Sequence, residues 1–351
     1  YQYNQLGYLT QILDGEHRVQ QFKRDALGRL LEKTSLNSLT RHSDTSHFGY
    51  DNEGRLLFAN NAARKLKFAY DAAGQLTDEW QDKEHLKHEY DELGRKVLSI
   101  LPDGEIIHYQ YHHTNQLERI TFNDQVISQY ERDNTGRLHA INHGNGLYTS
   151  QQYDSLGKLT NQMLQQQDKT LAQRQYQYHP QGTIAAIETL QGKTTFEYDQ
   201  NEQLKSVAGL INQQFAFDPA GNIEAVSSKT SETKPSTIPA QQPPINSFRG
   251  ETDKSQTPVY KNAGNRLEAY QNFKYQYDDS GNCTLIKQLQ IREDGSKDKP
   301  INTRLEYDGA NQLISASHQG QSIAYEYDAL GRRVTKNTGK AITRFLWNGD
   351  V

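Results

Sequence analysis

The ten residues Tyr325-Glu326-Tyr327-Asp328-Ala329-Leu330-Gly331-Arg332-Arg333-Val334 decide how this chain folds. Tyr325 and Tyr327 stand two apart, and in an extended strand such residues project to one face. Asp328 follows directly and Gly331 comes three residues later. An aspartate bonds to its own backbone two residues on, and glycine takes a positive φ without steric cost, so 328–331 reads as a turn. Arg332 opens the return strand. The stretch is a β-hairpin with its turn chemistry written in.

The same unit recurs along the chain. The residue in the aspartate position is Asn4, Asp25, Asp51, Asp71, Asp91, His112, Asp133, Asp154, His179, Asp199, Asp218, Lys261, Asp278, Asp308 or Asp328. Most gaps are 19 to 21 residues, the spacing of one supersecondary unit repeated in series. Twelve of the fifteen units carry the turn glycine. Asn115 and Asn311 replace it in two, and Asn also tolerates the left-handed region. Glu202 alone breaks the rule. With no sustained 3.6-residue periodicity, the expectation is an all-β protein with essentially no helix.

Composition bears on what the strands enclose. Apolar residues make up 34% of the 351, low for a solid core even with the 25 glycines added. Tyrosine dominates the aromatics, 21 against 11 Phe and 2 Trp, and it packs its ring while its hydroxyl stays wet or bonded. A thin or hollow wall is expected. The formal charge of −4, with acids and bases interspersed, offers no basic face for nucleic acid. One cysteine, Cys283, permits no disulfide within the chain, so pairing and stacking must supply the stability. No apolar run reaches the length of a transmembrane helix and no signal peptide is seen. The start at Tyr1, inside a repeat, suggests a piece of something longer.

Taken in order, the units are expected to form a single array over residues 1–351. The Ser/Thr/His segment 40–47 and the polar run 165–169 read as loops. Leu101-Pro102-Asp103-Gly104-Glu105 reads as a second kind of turn, with Pro pre-set and Asp-Gly following. Between Asp218 and Lys261 the period doubles. Residues 227–258, rich in Ser, Thr, Lys, Gln and Pro, read as a long flexible loop or insertion. A polar insertion at 292–300 is placed at a hairpin tip.

These residues resemble the tyrosine-aspartate (YD) repeats of bacterial Rhs proteins, a family of polymorphic toxins, over almost the whole chain. Tyr50-Asp51-Asn52-Glu53-Gly54-Arg55-Leu56, Tyr90-Asp91-Glu92-Leu93-Gly94-Arg95 and the closing pair, 327–334 with Phe345-Leu346-Trp347-Asn348-Gly349-Asp350, carry the resemblance. The closing pair looks like the Rhs core more than the insecticidal toxin-complex shells or the animal teneurins. Asn348 departs from the Asp often found there. The resemblance implies an antiparallel sheet spiralling into a hollow cocoon around a C-terminal toxin, exported from a bacterium, often by type VI secretion. Implied partners are the enclosed toxin, the remainder of the shell, a spike of PAAR type and a chaperone. The family's self-cleavage uses an Asp-Pro-x-Gly-Leu segment at the end of the core. The nearest match, Asp218-Pro219-Ala220-Gly221-Asn222, lacks the Leu and sits mid-array, so the implied cleavage site would fall beyond Val351. A structural shell segment, not an enzyme, is the expectation, with no catalytic residue, metal or cofactor. The alternative is an exported adhesion or carbohydrate-binding array that uses the tyrosines.

Other chemistry-bearing residues have structural readings. Each Asp-x-x-Gly supplies about one carboxylate, whereas calcium loops converge several oxygens. His112 and His113 are adjacent and expected on opposite faces of a strand; His85 and His88 are likewise out of step. His139 and His143 lie close, with His143 opening a turn. Surface or wall positions are expected for these histidines. Cys283 lacks a second Cys or a His/Asn partner motif. The tyrosine pairs are expected to stack across strands.

Overall fold

The computed structural model describes residues 1–15, 17–209, 212–229, 261–263, 266–270, 272–290 and 298–349. They contain strands, turns and irregular links but no helix, and every strand pairing described is antiparallel. The chain divides into two compact units, one made of Tyr1–Gln129 with Phe273–Val351, the other of Tyr130–Asn272.

The turn read from the sequence is the turn that forms. At Asp51 the backbone N–H bonds to the Arg55 carbonyl at 3.0 Å and Gly54 N–H returns to the Asp51 carbonyl at 3.1 Å. The same pair of bonds closes the turns at Asp25, Asp91, Asp154, Asp218 and Asp328. Leu101 also makes them, so its Pro-Asp-Gly turn belongs to the common kind and is not a second one. The fourth residue is left-handed even without glycine: φ is 69° at Asn115, 64° at Asn311 and 60° at Glu202. Tertiary pairing on both sides holds Glu202 in a conformation its side chain disfavours.

Beside these turns the ladder slips. The register shifts at Gly49/Tyr50, Ala69/Tyr70, Gln110/Tyr111, Gln152/Tyr153 and Glu326/Tyr327, at the aromatic residue that precedes the turn, and at Lys23/Arg24 before Asp25. Such a bulge leaves backbone groups near it outside the ladder.

Three expectations need correction. Residues 40–47 are not a long loop: Leu30–Asn37 and His42–Tyr50 pair along their length, Thr34 with Thr45 and Leu36 with Ser43. Likewise only Gln167 and Asp168 separate Leu159–Gln166 from Lys169–Tyr178. Polar strand residues with one wet face had looked like loop composition. Lys261 starts no turn; it lies in the strand Lys261–Ala263, paired with Ala269. Lysine offers no acceptor to draw the next N–H groups into a turn. Of the expected loop 227–258, residues 227–229 end the strand Ile223–Lys229 and the rest lies outside the described residues. Most of the 292–300 insertion lies outside them too.

In the first unit the strand Lys65–Tyr70 shows why a core forms. Leu66 and Phe68 are buried while Lys65 and Lys67 face outward, the alternation of a half-buried strand. Phe48 and Ala59 join them, flanked by Leu30, Leu56 and Leu76, and Ala329 packs on from the last Asp turn. The C-terminal hairpins therefore cover the inner face of the N-terminal meander. The second unit has little solid interior: its fully buried apolar residues, among those described, are Ala140, Ala186 and Val226.

At Gly309 the two meanders of the first unit meet backbone to backbone. A Cβ there would lie 2.4 Å from the Leu36 nitrogen and 2.6 Å from its carbonyl carbon, and backbone cannot step aside. Gly309→Ala is expected to destabilise the first unit by roughly 1–3 kcal/mol through overpacking. Asn52→Ala, at the same place in an open turn, should change stability by less than about 0.5 kcal/mol. Chemical denaturation followed by the fluorescence of Trp80 and Trp347, both in this unit, compares the two.

Candidate functional site

The recurrent residues were the first candidates, and the structure accounts for them one by one. Asp91 Oδ1 accepts the N–H groups of Leu93 and Arg95, each at 3.0 Å, and its Oδ2 accepts Arg95 Nε at 2.7 Å. Asp25 with Arg29 and Asp328 with Arg332 repeat the arrangement. The Arg95 guanidinium and N–H hold the Asp91 carboxyl below its ordinary pKa. Arg29 and Arg55 also reach the following repeat. Arg29 lies 5.2 Å over the Tyr50 ring and donates to the Asp51 carbonyl at 2.9 Å; Arg55 lies 5.2 Å over Tyr70 and donates to the Asp71 carbonyl at 3.2 Å.

The tyrosines complete the link in the other direction. Tyr70 donates its hydroxyl to the Leu56 carbonyl at 2.9 Å, Tyr90 to Leu76 at 2.9 Å, Tyr153 to Leu138 at 2.9 Å and Tyr327 to Leu313 at 2.8 Å. Burial pushes the Tyr70 and Tyr90 phenols above their ordinary pKa. The expected tyrosine-on-tyrosine stacking is replaced at Tyr50, Tyr70, Tyr111, Tyr153 and Tyr178, where the ring partner is an Arg or Lys cation. Hydroxyl and ring face are thus both engaged within the wall.

A different set of residues gathers where the two meanders of the first unit meet. Arg18 donates to the Asp308 carbonyl at 3.1 Å and to Asp278 Oδ2 at 2.6 Å. Asn37 donates to the Tyr307 carbonyl at 2.7 Å and Asn61 to the Tyr327 carbonyl at 2.8 Å. Arg64 donates to the Phe345 carbonyl at 2.7 Å. Side chains from the linking turns and strand ends of the N-terminal meander therefore read backbone carbonyls of the C-terminal one.

This seam ends in a buried polar cluster. Glu79, on Leu76–Gln81, is 1% exposed and accepts both Arg332 Nη atoms at 3.2 Å and Gln81 Nε2 at 3.0 Å. Burial pushes the Glu79 carboxyl up, against the pull of the Arg332 guanidinium. Lys96, half-buried, is pushed down by the same cause and donates to Asn348 Oδ1 at 3.0 Å. His88 Nδ1 lies 3.0 Å from Ser99 Oγ, both buried. Arg332 belongs to the repeat read from the sequence, but Arg64, Glu79 and Gln81 do not stand out there. A local signal existed: Glu79 and Gln81 occupy the register facing Phe68 and Leu66, where apolar residues would be expected. Their partners, more than 250 residues away, left none.

The histidines divide. His85 faces outward, stacked 4.5 Å from Trp80, while His88 is buried, so the expected opposition of faces holds but His88 is no surface residue. His112 and His113 do not point apart: His112 opens a turn and the two rings touch at 3.8 Å. His143 opens its turn as expected and meets Thr149 Oγ1 at 2.9 Å; His139 is exposed. Burial pushes the Cys283 thiol up, away from the reactive thiolate. Asp218 closes an ordinary turn, with Asn222 donating to Oδ2 at 2.9 Å.

Two outcomes follow for the first unit. Tyr70→Phe leaves the Leu56 carbonyl without its donor and should lower stability by about 0.5–1.5 kcal/mol, whereas Tyr3→Phe, exposed at 62%, should be neutral in the same denaturation. Burial, with the Lys96 charge adding to it, lowers the His88 pKa from 6.5 to about 4, while the Asp78 carboxylate pulls the other way. Between those pH values the unfolded chain binds a proton the folded chain refuses, so stability falls as pH falls, by on the order of 3 kcal/mol across the window. His88→Gln should flatten that slope; an unchanged slope would assign the acid sensitivity to other groups.

Comparison with known proteins agrees with this geometry. A teneurin YD-shell family model matches residues 1–149 and an RHS repeat model matches 303–341. Double-stranded DNA deaminase toxin A of Burkholderia cenocepacia is 26% identical over 95% of this chain, and toxin protein Tse5 of Pseudomonas aeruginosa 27% identical over 85%. The chain spans about a quarter of the length of these relatives, 23% and 24%. Among solved structures, the Photorhabdus luminescens Tc holotoxin pore aligns with a TM-score of 0.64 at 14% identity, covering 96% of this chain and 20% of that one. A TcdB2–TccC3–Cdc42 crystal structure aligns with a TM-score of 0.61 at 13% identity, covering 89% and 19%. The fold is shared with these toxin chains over the aligned part, and the family models and relatives agree with the resemblance of its repeats to Rhs/YD-repeat proteins.

Proposed function

We propose that this chain is a wall segment of a hollow shell that encloses a C-terminal toxin domain and is exported from a bacterium with it. One observation carries the reading: the recurrent Asp, Arg and Tyr groups bond within their own repeat and to the next one. Groups engaged in this way build a continuous surface and offer no site for substrate. The toxin names of the relatives, which are about four times longer, support placing the chemistry in a region outside this segment. Export by the type VI route, with a spike of PAAR type and a chaperone as partners, is part of the same reading. So is a continuous array over residues 1–351. The engaged tyrosine hydroxyls and ring faces weigh against carbohydrate binding.

Limited proteolysis of the intact toxin protein that contains this chain tests it. A C-terminal segment inside a shell should survive protease concentrations that digest the same segment expressed alone. Equal digestion rates for the two would remove the enclosure from the proposal.

A further inference from the structure

The sheet of the first unit ends with Ile342–Arg344; Phe345 N–H still reaches the Val334 carbonyl at 3.0 Å, and beyond it the chain is held by side chains of the N-terminal meander and of Arg332. Gln81 Oε1 accepts the Trp347 N–H at 3.2 Å, and Gln81 Nε2 donates to the Trp347 carbonyl. One side-chain amide thereby makes the two bonds that a residue of a neighbouring antiparallel strand would make. Arg64 Nη1 donates to the Phe345 carbonyl at 2.7 Å and Arg332 Nη1 to the Gly349 carbonyl at 3.1 Å. The carbonyls of residues 345 and 347 stand at alternate positions, as along one edge of an extended peptide, and the third belongs to Gly349, where the backbone has turned, with φ 70°.

The readers and the segment they read differ in kind. Arg64, Glu79, Gln81 and Arg332 are 6%, 1%, 0% and 8% exposed, whereas Leu346 is 46% exposed. The readers also bond to one another without the segment: Arg332 to Glu79, Gln81 to Glu79, and Arg64 Nη1 to Gln81 Oε1 at 3.1 Å. Removing the segment would leave this network in place. Trp347 supplies the apolar anchor, beside a cavity of about 300 Å³ lined by Leu86, Leu101 and Pro102, with its indole N–H donating to the Arg333 carbonyl at 3.0 Å.

We infer that Arg64, Glu79, Gln81 and Arg332 form a site that recognises the main chain of an extended peptide with a central tryptophan, and that its ligand is this chain's own segment 345–349. The segment is bound in cis and leaves the site while both meanders of the first unit stay folded. The inference holds whether or not the chain encloses a toxin.

Hydrogen exchange on the unaltered 351-residue chain is the first test. The Trp347 amide should exchange at least tenfold faster than those of Leu66 and Leu86, through an opening smaller than unfolding. Exchange of all three at one rate would mean that the segment opens only with the whole unit and would overturn the inference. The second test uses a fluorescent peptide, Thr-Arg-Phe-Leu-Trp-Asn-Gly, copied from residues 343–349. It should bind Trp347→Ala at least tenfold more tightly than the unaltered chain, whose site is filled. N-methylation of its tryptophan amide, which removes the bond to Gln81 without touching the protein, should weaken binding at least tenfold. Equal binding to both proteins, or indifference to the N-methyl group, would also overturn it.

Discussion

The bulge beside the aromatic-Asp turns is the constraint on which the rest of the wall depends. It slips the ladder at the aromatic residue before the aspartate, and carbonyls at the mouth of the hairpin need partners from elsewhere. Two solutions occur in the first unit. Leu56 and Leu76 accept tyrosine hydroxyls from the repeat that follows. Tyr307 and Tyr327 accept the side-chain amides of Asn37 and Asn61, from hairpins some 270 residues earlier. A repeat is therefore incomplete alone. It is finished by the next repeat, or by another turn of the chain laid against it.

This places the energetics at the joints. A satisfied hydrogen bond adds only about 0.5–1.5 kcal/mol net, but a buried carbonyl left bare costs about 1–3 kcal/mol. Nearest-neighbour bonds of the Tyr70–Leu56 kind make stability a sum over adjacent repeats, as in other repeat arrays. The seam changes that for the first unit. Arg18, Asn37, Asn61 and Arg64 tie residues near the start of the chain to residues near its end. The apolar cluster at Leu66 and Phe68 lies under the same cover, since Ala329 closes it. Opening the seam exposes that cluster, so the two meanders must part together.

How much of this could be read in advance follows from how local each interaction is. The aspartate turn lies within five residues, and its acceptor, its left-handed position and its arginine are all in the string Asp-x-x-Gly-Arg. The reading extended to Asn115 and Asn311, and the structure carried it to Glu202, where pairing on both sides overrides a poor residue. Residues 40–47 and 165–169 have loop-like composition although they lie mostly in strands, because strands with a polar outer face and polar inner residues such as Ser35 and Ser46 share it. The seam was invisible. Nothing in Asn61 or Gln81 announces a carbonyl 266 residues away.

The polar character of the seam has a physical reason in the repetition itself. Apolar packing is non-directional, and in an array of similar hairpins a slip by one repeat would bury nearly the same side chains. Leu66 and Phe68 alone could not tell the turn at Asp328 from the one at Asp308. The donors can where they have no counterpart in the next repeat: Asn37 and Asn61 meet equivalent carbonyls, of Tyr307 and Tyr327, but Arg64 and Gln81 meet residues 345 and 347, which lie outside the repeat. A slip would take Arg332 from the buried Glu79 carboxylate and take the 345 and 347 carbonyls from Arg64 and Gln81. Replacing such a pair by hydrocarbon of the same volume can be neutral or stabilising, so it is a poor source of raw stability. Its effect is to make the wrong registers expensive, which is the same use of polar groups that fixes the register of sheets and coiled coils.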